Sequence, residues 1–204
     1  MLIWINGAFG SGKTQTAHEL QRRLRRSYVV DPEPLGLTLR KMLPPAHSRG
    51  DFQDLPQWRA GVLTTLAQAE TSFDGAVIVP MTIVREDYFD QIIGGLRAQG
   101  IDLRHYSLTA TPATLRRRLR QRSGYMRARL AGRDESWALQ QIDRCVDVLD
   151  GERYASQIAT DERPIDEVVE TIALDAGLTL TRPRLSAAGY QARRLMVGVR
   201  HIRL

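Results

Sequence analysis

Short apolar runs alternate with longer stretches of helical periodicity along this chain. Leu2-Ile-Trp-Ile5 is the first such run. A glycine-rich turn follows, then Thr14 to Arg26, where Ala17, Leu20 and Leu24 share one face. The same alternation predicts strands at 2–6, 28–31, 76–80, 103–108 and 156–160. It predicts helices at 13–26, 35–43, 56–71, 86–99, 112–121, 135–149 and 165–176. Strands separated by helices predict an α/β fold: a five-stranded parallel sheet between two helical layers. Pro44-Pro45 closes the second helix, and 44–55 reads as a polar loop. Thr111 is a candidate N-cap ahead of Pro112, and Asp134 and Ser136 are candidate caps for the helix at 135–149. From Ser186 to Leu204 the pattern is again helical, with Ala188, Ala192, Leu195, Val199 and Ile202 on one stripe and Arg193, Arg194, Arg200 and His201 opposite. The domain expectation is therefore 1–180 as one α/β unit and 181–204 as a basic amphipathic segment.

The turn after the first strand changes the picture most. Gly7-Ala-Phe-Gly10-Ser11-Gly12-Lys13-Thr14 has the form G-x-x-x-x-G-K-[ST], flanked by a strand and a helix. The glycines let successive backbone N–H groups turn inward on phosphate oxygens. Lys13 reaches the terminal phosphates and the Thr14 hydroxyl is positioned for Mg²⁺, so the predicted ligands are ATP and Mg²⁺. Lysine occurs only at Lys13 and Lys41, and every other basic residue is arginine. A lysine kept in this loop, in so arginine-rich a chain, indicates that a slim ammonium is needed there.

Length, at 204 residues, fits one domain with an appended segment, and 43% hydrophobic and 25% charged residues are ordinary for a globular chain. No run of about 18 apolar residues marks a membrane span. Met1 leads directly into the first strand without a signal-peptide pattern. A single cysteine, Cys145, fits a reducing compartment and a structural role. These features predict a cytoplasmic protein. The net charge of +6 is concentrated in two acid-free zones, 103–133 and 176–204. No nucleic-acid-binding module accompanies them, and no aromatic residues are interleaved as a stacking platform, so nucleic acid is not an expected partner. The second zone instead suits an anionic membrane surface, contacted peripherally through 186–204; the alternative is a helix packed on the domain.

Asp31 closes the second predicted strand, on the edge where ligands of open α/β sheets bind. It is a candidate base for an attacking hydroxyl and a candidate Mg²⁺ ligand; the alternative is an Asx-Pro turn residue. Glu33 is the fallback. The strand at 76–80 leads into Pro80-Met81-Thr82 with no acid, which shifts the metal-side weight to Asp31. Arg118 and Arg122 lie four apart on one helical face, and Arg133 and Arg144 lie eleven apart, three turns, on one face of the next helix. This arginine-rich stretch resembles the lid, here about 122–134, of nucleoside-monophosphate kinases and related small-molecule kinases. The resemblance implies that Arg118 and Arg122 bind the nucleotide and that Arg133 and Arg144 clamp the transferring phosphoryl group. It also places the phosphoryl acceptor around Asp54, Trp58 and Arg59, where Trp58 either stacks on a ligand or packs in the core.

Several separate blocks carry a more specific resemblance. I-W-I-N-G-A-F-G-S-G-K-T-Q-T-A, Y-V-V-D-P-E, D-F-Q-D-L-P-Q-W-R-A, V-I-V-P-M-T-I-V, S-W-A-L-Q-Q-I-D-R-C-V and R-L-M-V-G-V-R-H-I-R-L together resemble the ATP-binding tunicamycin-resistance proteins. That resemblance implies a P-loop kinase-like fold, ATP-dependent resistance to tunicamycin or a similar nucleoside, and peripheral membrane association through the C-terminal helix. Three activities are compatible with it: phosphorylation of a drug hydroxyl, nucleotide-gated binding of the drug at the membrane without chemistry, or a kinase for another nucleoside or metabolite. Oligomeric state is not legible in the chain.

Overall fold

A computed structural model describes residues 1–44, 50–121, 136–154 and 156–200 of the chain. Five strands, β1 (Leu2–Gly7), β2 (Ser27–Val29), β3 (Ala76–Pro80), β4 (Leu103–Thr109) and β5 (Gln157–Ala159), pair in the order β2-β3-β1-β4-β5, all parallel. β1 and β3 are buried at every position, as central parallel strands covered on both faces must be. Their alternation divides the core. Leu2 and Trp4 join one apolar cluster, while Ile3 and Ile5 join another on the opposite face.

The helices are α1 (Lys13–Arg23), α2 (Glu33–Met42), α3 (Pro56–Ser72), α4 (Glu86–Phe89 continuing through a π-helical turn Asp90–Gly94 to Gly95–Ala98), α5 (Pro112–Arg120), α6 (Ser136–Leu149), α7 (Ile165–Asp175) and α8 (Ala187–Arg200). α3 to α6 cover the Trp4 face, through Trp58, Val62, Ile92, Leu115, Ile142 and Cys145. α1 and α7 cover the Ile3 face, through Ala17, Leu20, Val168 and Ile172. The three-layer arrangement read from the chain is thus the one observed. Thr111 caps α5, its hydroxyl accepting from Thr114 N, with Pro112 in the first turn.

Boundaries differ in physically interpretable ways. β2 ends at Val29, so Asp31 stands two residues beyond the strand; α2 begins at Glu33, earlier than expected, because Pro34 suits a first helical turn. α1 ends at Arg23 because Leu24 turns to an extended conformation. Trp58 is fully buried and its indole N–H donates to Pro32 O at 3.1 Å, so it packs in the core beneath the Asp31 loop. α8 docks on α1: Val197 is buried, and Arg193 donates to His18 O at 2.9 Å and lies 3.7 Å from the buried Glu19 carboxylate. No helix among the described residues is long and apolar enough to cross a membrane.

Candidate functional site

The loop between β1 and α1 lies beyond the carboxyl end of the central strand, where the chain reverses its order across the sheet. Gly12, the residue before α1, has φ +100°, a left-handed conformation that a side chain would strain. Gly7 has a second constraint: a Cβ there would stand 2.5 Å from Ser11 Oγ and 2.7 Å from Leu108 O. Gly10, at φ +90°, passes close over Leu115. The resulting cradle opens at the N-terminus of α1, where the helix dipole favours an anion. Ser11 Oγ is buried without a hydrogen-bond partner among the described residues, which fits a cradle completed by phosphate.

Lys13 folds back across the loop. Its Nζ donates to Gly7 O at 2.8 Å and to Ala8 O at 3.0 Å, and lies 5.6 Å from the centre of the Phe9 ring. Two buried residues fix the loop from below. Asn6 Oδ1 accepts from Gly7 N (2.8 Å) and Ile83 N (3.0 Å), and its Nδ2 donates to Ile83 O (2.8 Å). Nδ2 also lies 3.3 Å from Nε2 of His105, whose pKa burial pushes down to about 4, so the ring is neutral near pH 7. Thr82, where the chain lacks a strand-end acid, donates its hydroxyl to Gly7 O at 2.7 Å. Gly7 O therefore receives two side-chain donors, Thr82 and Lys13.

Thr14 lies in the first turn of α1, half-buried. Asp31 lies on the same sheet edge, beyond β2, with Oδ1 accepting from Glu33 N at 3.0 Å. That bond is the Asx turn weighed against function, and it fixes the carboxylate at the start of α2. Among the described residues no group of three or more His, Cys, Asp or Glu stands ready to hold a metal by protein atoms alone. The oxygen donors of Thr14 and Asp31 fit Mg²⁺, which keeps several waters and takes few protein ligands beside the phosphates.

The expected arginines separate. Arg118 lies on the opposite flank of the loop, donating to Thr160 Oγ1 at 3.1 Å and to the carbonyls of Thr160 and Asp161. Thr160 in turn approaches Ser11 O at 3.5 Å. Arg144 is exposed on α6, and its field, with that of Arg40, reaches Asp51. Arg122 and Arg133, with the expected lid at about 122–134, lie outside the described residues. Beside the loop at 51–55, Arg59 and Arg85 stack 4.2 and 4.1 Å from the Tyr88 ring, and the Tyr88 hydroxyl donates to Asp54 at 2.7 Å. Gln53 Nε2 donates to Thr82 O at 2.8 Å, joining that loop to the phosphate loop.

Three residues of this region were not picked out from the sequence. Thr82 stands out in the sequence only as lying where a strand-end acid is missing, and its target is 75 residues away. Asp51 has its carboxyl pushed up by burial, partly offset by the bond from Gln53 N and the fields of Arg40 and Arg144. Trp137, in the first turn of α6, is 46% exposed and meets Phe9 edge-on, with ring centroids 5.3 Å apart. Its position directly after a predicted helix cap was the available signal.

The AAA domain family model matches residues 2–146. The solved tunicamycin resistance protein of Deinococcus radiodurans is 32% identical, with 89% of this chain and 99% of that chain covered and a TM-score of 0.72. A gluconokinase from Sinorhizobium meliloti (19% identity, 98% of this chain and 96% of that chain, TM-score 0.57) shares the fold. So does a shikimate kinase from Bacteroides thetaiotaomicron (16% identity, 87% and 99%, TM-score 0.56). No curated protein sequence matches the chain.

Proposed function

The chain belongs to the family of the tunicamycin-resistance proteins, built on a P-loop kinase-like AAA domain, and on that basis we propose that it transfers a phosphoryl group from ATP to a hydroxyl of tunicamycin or a similar nucleoside. The observation that carries this reading is a shared edge: the phosphate cradle with Lys13, beyond β1, and the Asp31 carboxylate, beyond β2, lie at the carboxyl-terminal edge of one parallel sheet, with β3 between them. A carboxylate on that edge suits the base for an attacking hydroxyl.

In the proposed reaction Asp31 accepts the proton of the attacking hydroxyl. The hydroxyl oxygen bonds to the γ-phosphorus, the bond from that phosphorus to the β–γ bridging oxygen breaks, and ADP departs with the electron pair. Lys13 leaves the Gly7 and Ala8 carbonyls for phosphate oxygens. Gly7, Gly10, Ser11 and Gly12 supply the cradle, and Thr14 and Asp31 offer oxygens to Mg²⁺. When bound, that ion supplies charge neutralisation at the β- and γ-phosphates. Arg118 and Arg122 are assigned to the nucleotide, and Arg133 and Arg144 to the transferring phosphoryl group. Contact of 186–204 with anionic lipid belongs to the same proposal, since a lipid-tailed acceptor is met at a membrane. Sedimentation with liposomes, with and without 186–204, tests it: unchanged partitioning refutes it.

The central experiment is mass spectrometry of tunicamycin after incubation with the protein, ATP and Mg²⁺. Transfer adds one phosphoryl group, and Asp31→Asn abolishes the gain while ATP binding persists. An unchanged drug mass alongside tight drug binding refutes transfer in favour of sequestration.

A further inference from the structure

α6 presents a second set of groups to the phosphate loop. Trp137 and Arg144 are seven residues apart, two turns, and so lie on one side of this helix. Trp137 reaches the loop through Phe9, whose ring lies beside Lys13 Nζ, at the terminal-phosphate end. The opposite flank of the loop, at Ser11 and Gly12, faces Thr160, Ile165 and Arg118. Trp137 is therefore on the Lys13 side of the cradle.

The two other tryptophans show why this one stands out. Trp4 and Trp58 are fully buried and their indole N–H groups are spent on Met81 O and Pro32 O. Trp137 leaves nearly half its surface to solvent, with its ring braced edge-on by Phe9. A rigid, exposed indole next to an anion cradle is a stacking face for a planar heteroaromatic ring.

From this geometry we infer that Trp137 is the platform on which the base of the acceptor nucleoside stacks. This rests on the reading of the site as one that accepts a nucleoside. It adds a binding subsite that the phosphate loop, Asp31 and the arginines do not supply.

The position of the tryptophans makes the test direct, because Trp137 alone of the three is open to a collisional quencher. In the full-length protein, tunicamycin or uridine shields Trp137 fluorescence from acrylamide, and a non-hydrolysable ATP analogue does not. Trp137→Ala weakens tunicamycin binding roughly 5- to 140-fold, the range that alanine substitution beneath a stacked base gives, and leaves affinity for the ATP analogue within about twofold. Trp137→Phe, which keeps an aromatic face, recovers part of the loss and serves if the alanine variant folds poorly. The inference is overturned if neither tunicamycin nor uridine shields Trp137, if Trp137→Ala binds the drug as tightly as the parent, or if the ATP analogue is the ligand that shields it. The mass assay separates this from the activity itself. Shielding without a mass gain retains the platform and refutes transfer; a mass gain with unchanged KM for the drug in Trp137→Ala does the reverse.

Discussion

Thr82→Val removes one hydroxyl from a buried position and keeps the shape of the side chain. In the resting protein Gly7 O accepts from both Thr82 Oγ1, at 2.7 Å, and Lys13 Nζ, at 2.8 Å. Losing the first bond while the second persists costs about 0.5–1.5 kcal/mol, the net worth of one ordinary hydrogen bond. At about 2–4 °C per kcal/mol for a chain of this size, the melting temperature falls by a few degrees. The nucleotide-loaded protein suffers more. Lys13 must leave Gly7 O to reach phosphate, and in the variant that buried carbonyl then loses both side-chain donors, at about 1–3 kcal/mol. The difference between the two states, about 1 kcal/mol, appears as roughly fivefold weaker binding of an ATP analogue. Calorimetric titration with that analogue, beside thermal melts of the free protein, measures both. Thr82→Ser restores affinity because it restores the donor. A variant that melts lower yet binds the analogue as tightly as the parent refutes the idea that Thr82 holds the carbonyl Lys13 relinquishes.

Asp51 gives a pH-dependent prediction. Burial raises its folded-state pKa, so between the ordinary carboxylate value and the raised one the folded protein holds more protons than the unfolded chain, and stability falls as pH rises through that window. Asp51→Asn keeps an oxygen for Gln53 N without the charge, so it melts higher than the parent at pH 7, and the gap closes below about pH 4. A lower melting point at pH 7 would mean that Arg40 and Arg144 outweigh the burial. For α8, Arg193→Ala removes the bond to His18 O and one of two cations beside the buried Glu19 carboxylate; the other, Arg22, donates to Glu19 through Nε at 2.9–3.0 Å. A charged donor lost from such a site costs about 1.5–3 kcal/mol, read as a lower melting temperature and faster proteolysis between α7 and α8. Unchanged proteolysis would show that α8 is held by its apolar contacts alone.

The parts of this molecule legible in the sequence are those fixed by local pattern. Leu2–Gly7 and Ala76–Pro80 are continuous apolar runs, and parallel strands buried on both faces read that way. Thr111-Pro112 marked a helix start because capping chemistry is local. The phosphate loop was legible in full because its geometry resides in glycines at fixed offsets. Strand order was not, since β1 pairs with β3 and β4 rather than with β2, its neighbour in sequence. The π-helical turn in α4 leaves no mark in apolar periodicity. Thr82 and Asp51 escaped notice for a related reason: a threonine or aspartate in a loop looks the same whether it faces water or a buried carbonyl 75 residues away. Trp58 was ambiguous from the sequence, and the bond to Pro32 O decided for the core.

Carboxylate partners tie several of the arginines to the fold. Arg22 is bound to Glu19, Arg23 to Glu170 and Arg116 to Asp143, so each gives up a carboxylate if it moves. Lys13 donates to the carbonyls of Gly7 and Ala8, and Arg118 to the Thr160 hydroxyl and to carbonyls of Thr160 and Asp161. A charge-assisted bond to an anionic phosphate is about twice as strong as one between neutral groups, and a phosphate brings several acceptor oxygens at once. A cation resting on carbonyls can therefore pass to an arriving phosphate with net gain, provided the carbonyls it leaves keep another donor. Thr82 meets that condition at Gly7, and the Ser11 N–H, 3.1 Å from Ala8 O, meets it at Ala8. By this criterion arginine spacing is a poor guide to function in so arginine-rich a chain. The oxygen each side chain rests on is the better one: Arg116, two residues before Arg118 on the same helix, is tied to the Asp143 carboxylate, whatever its spacing suggests.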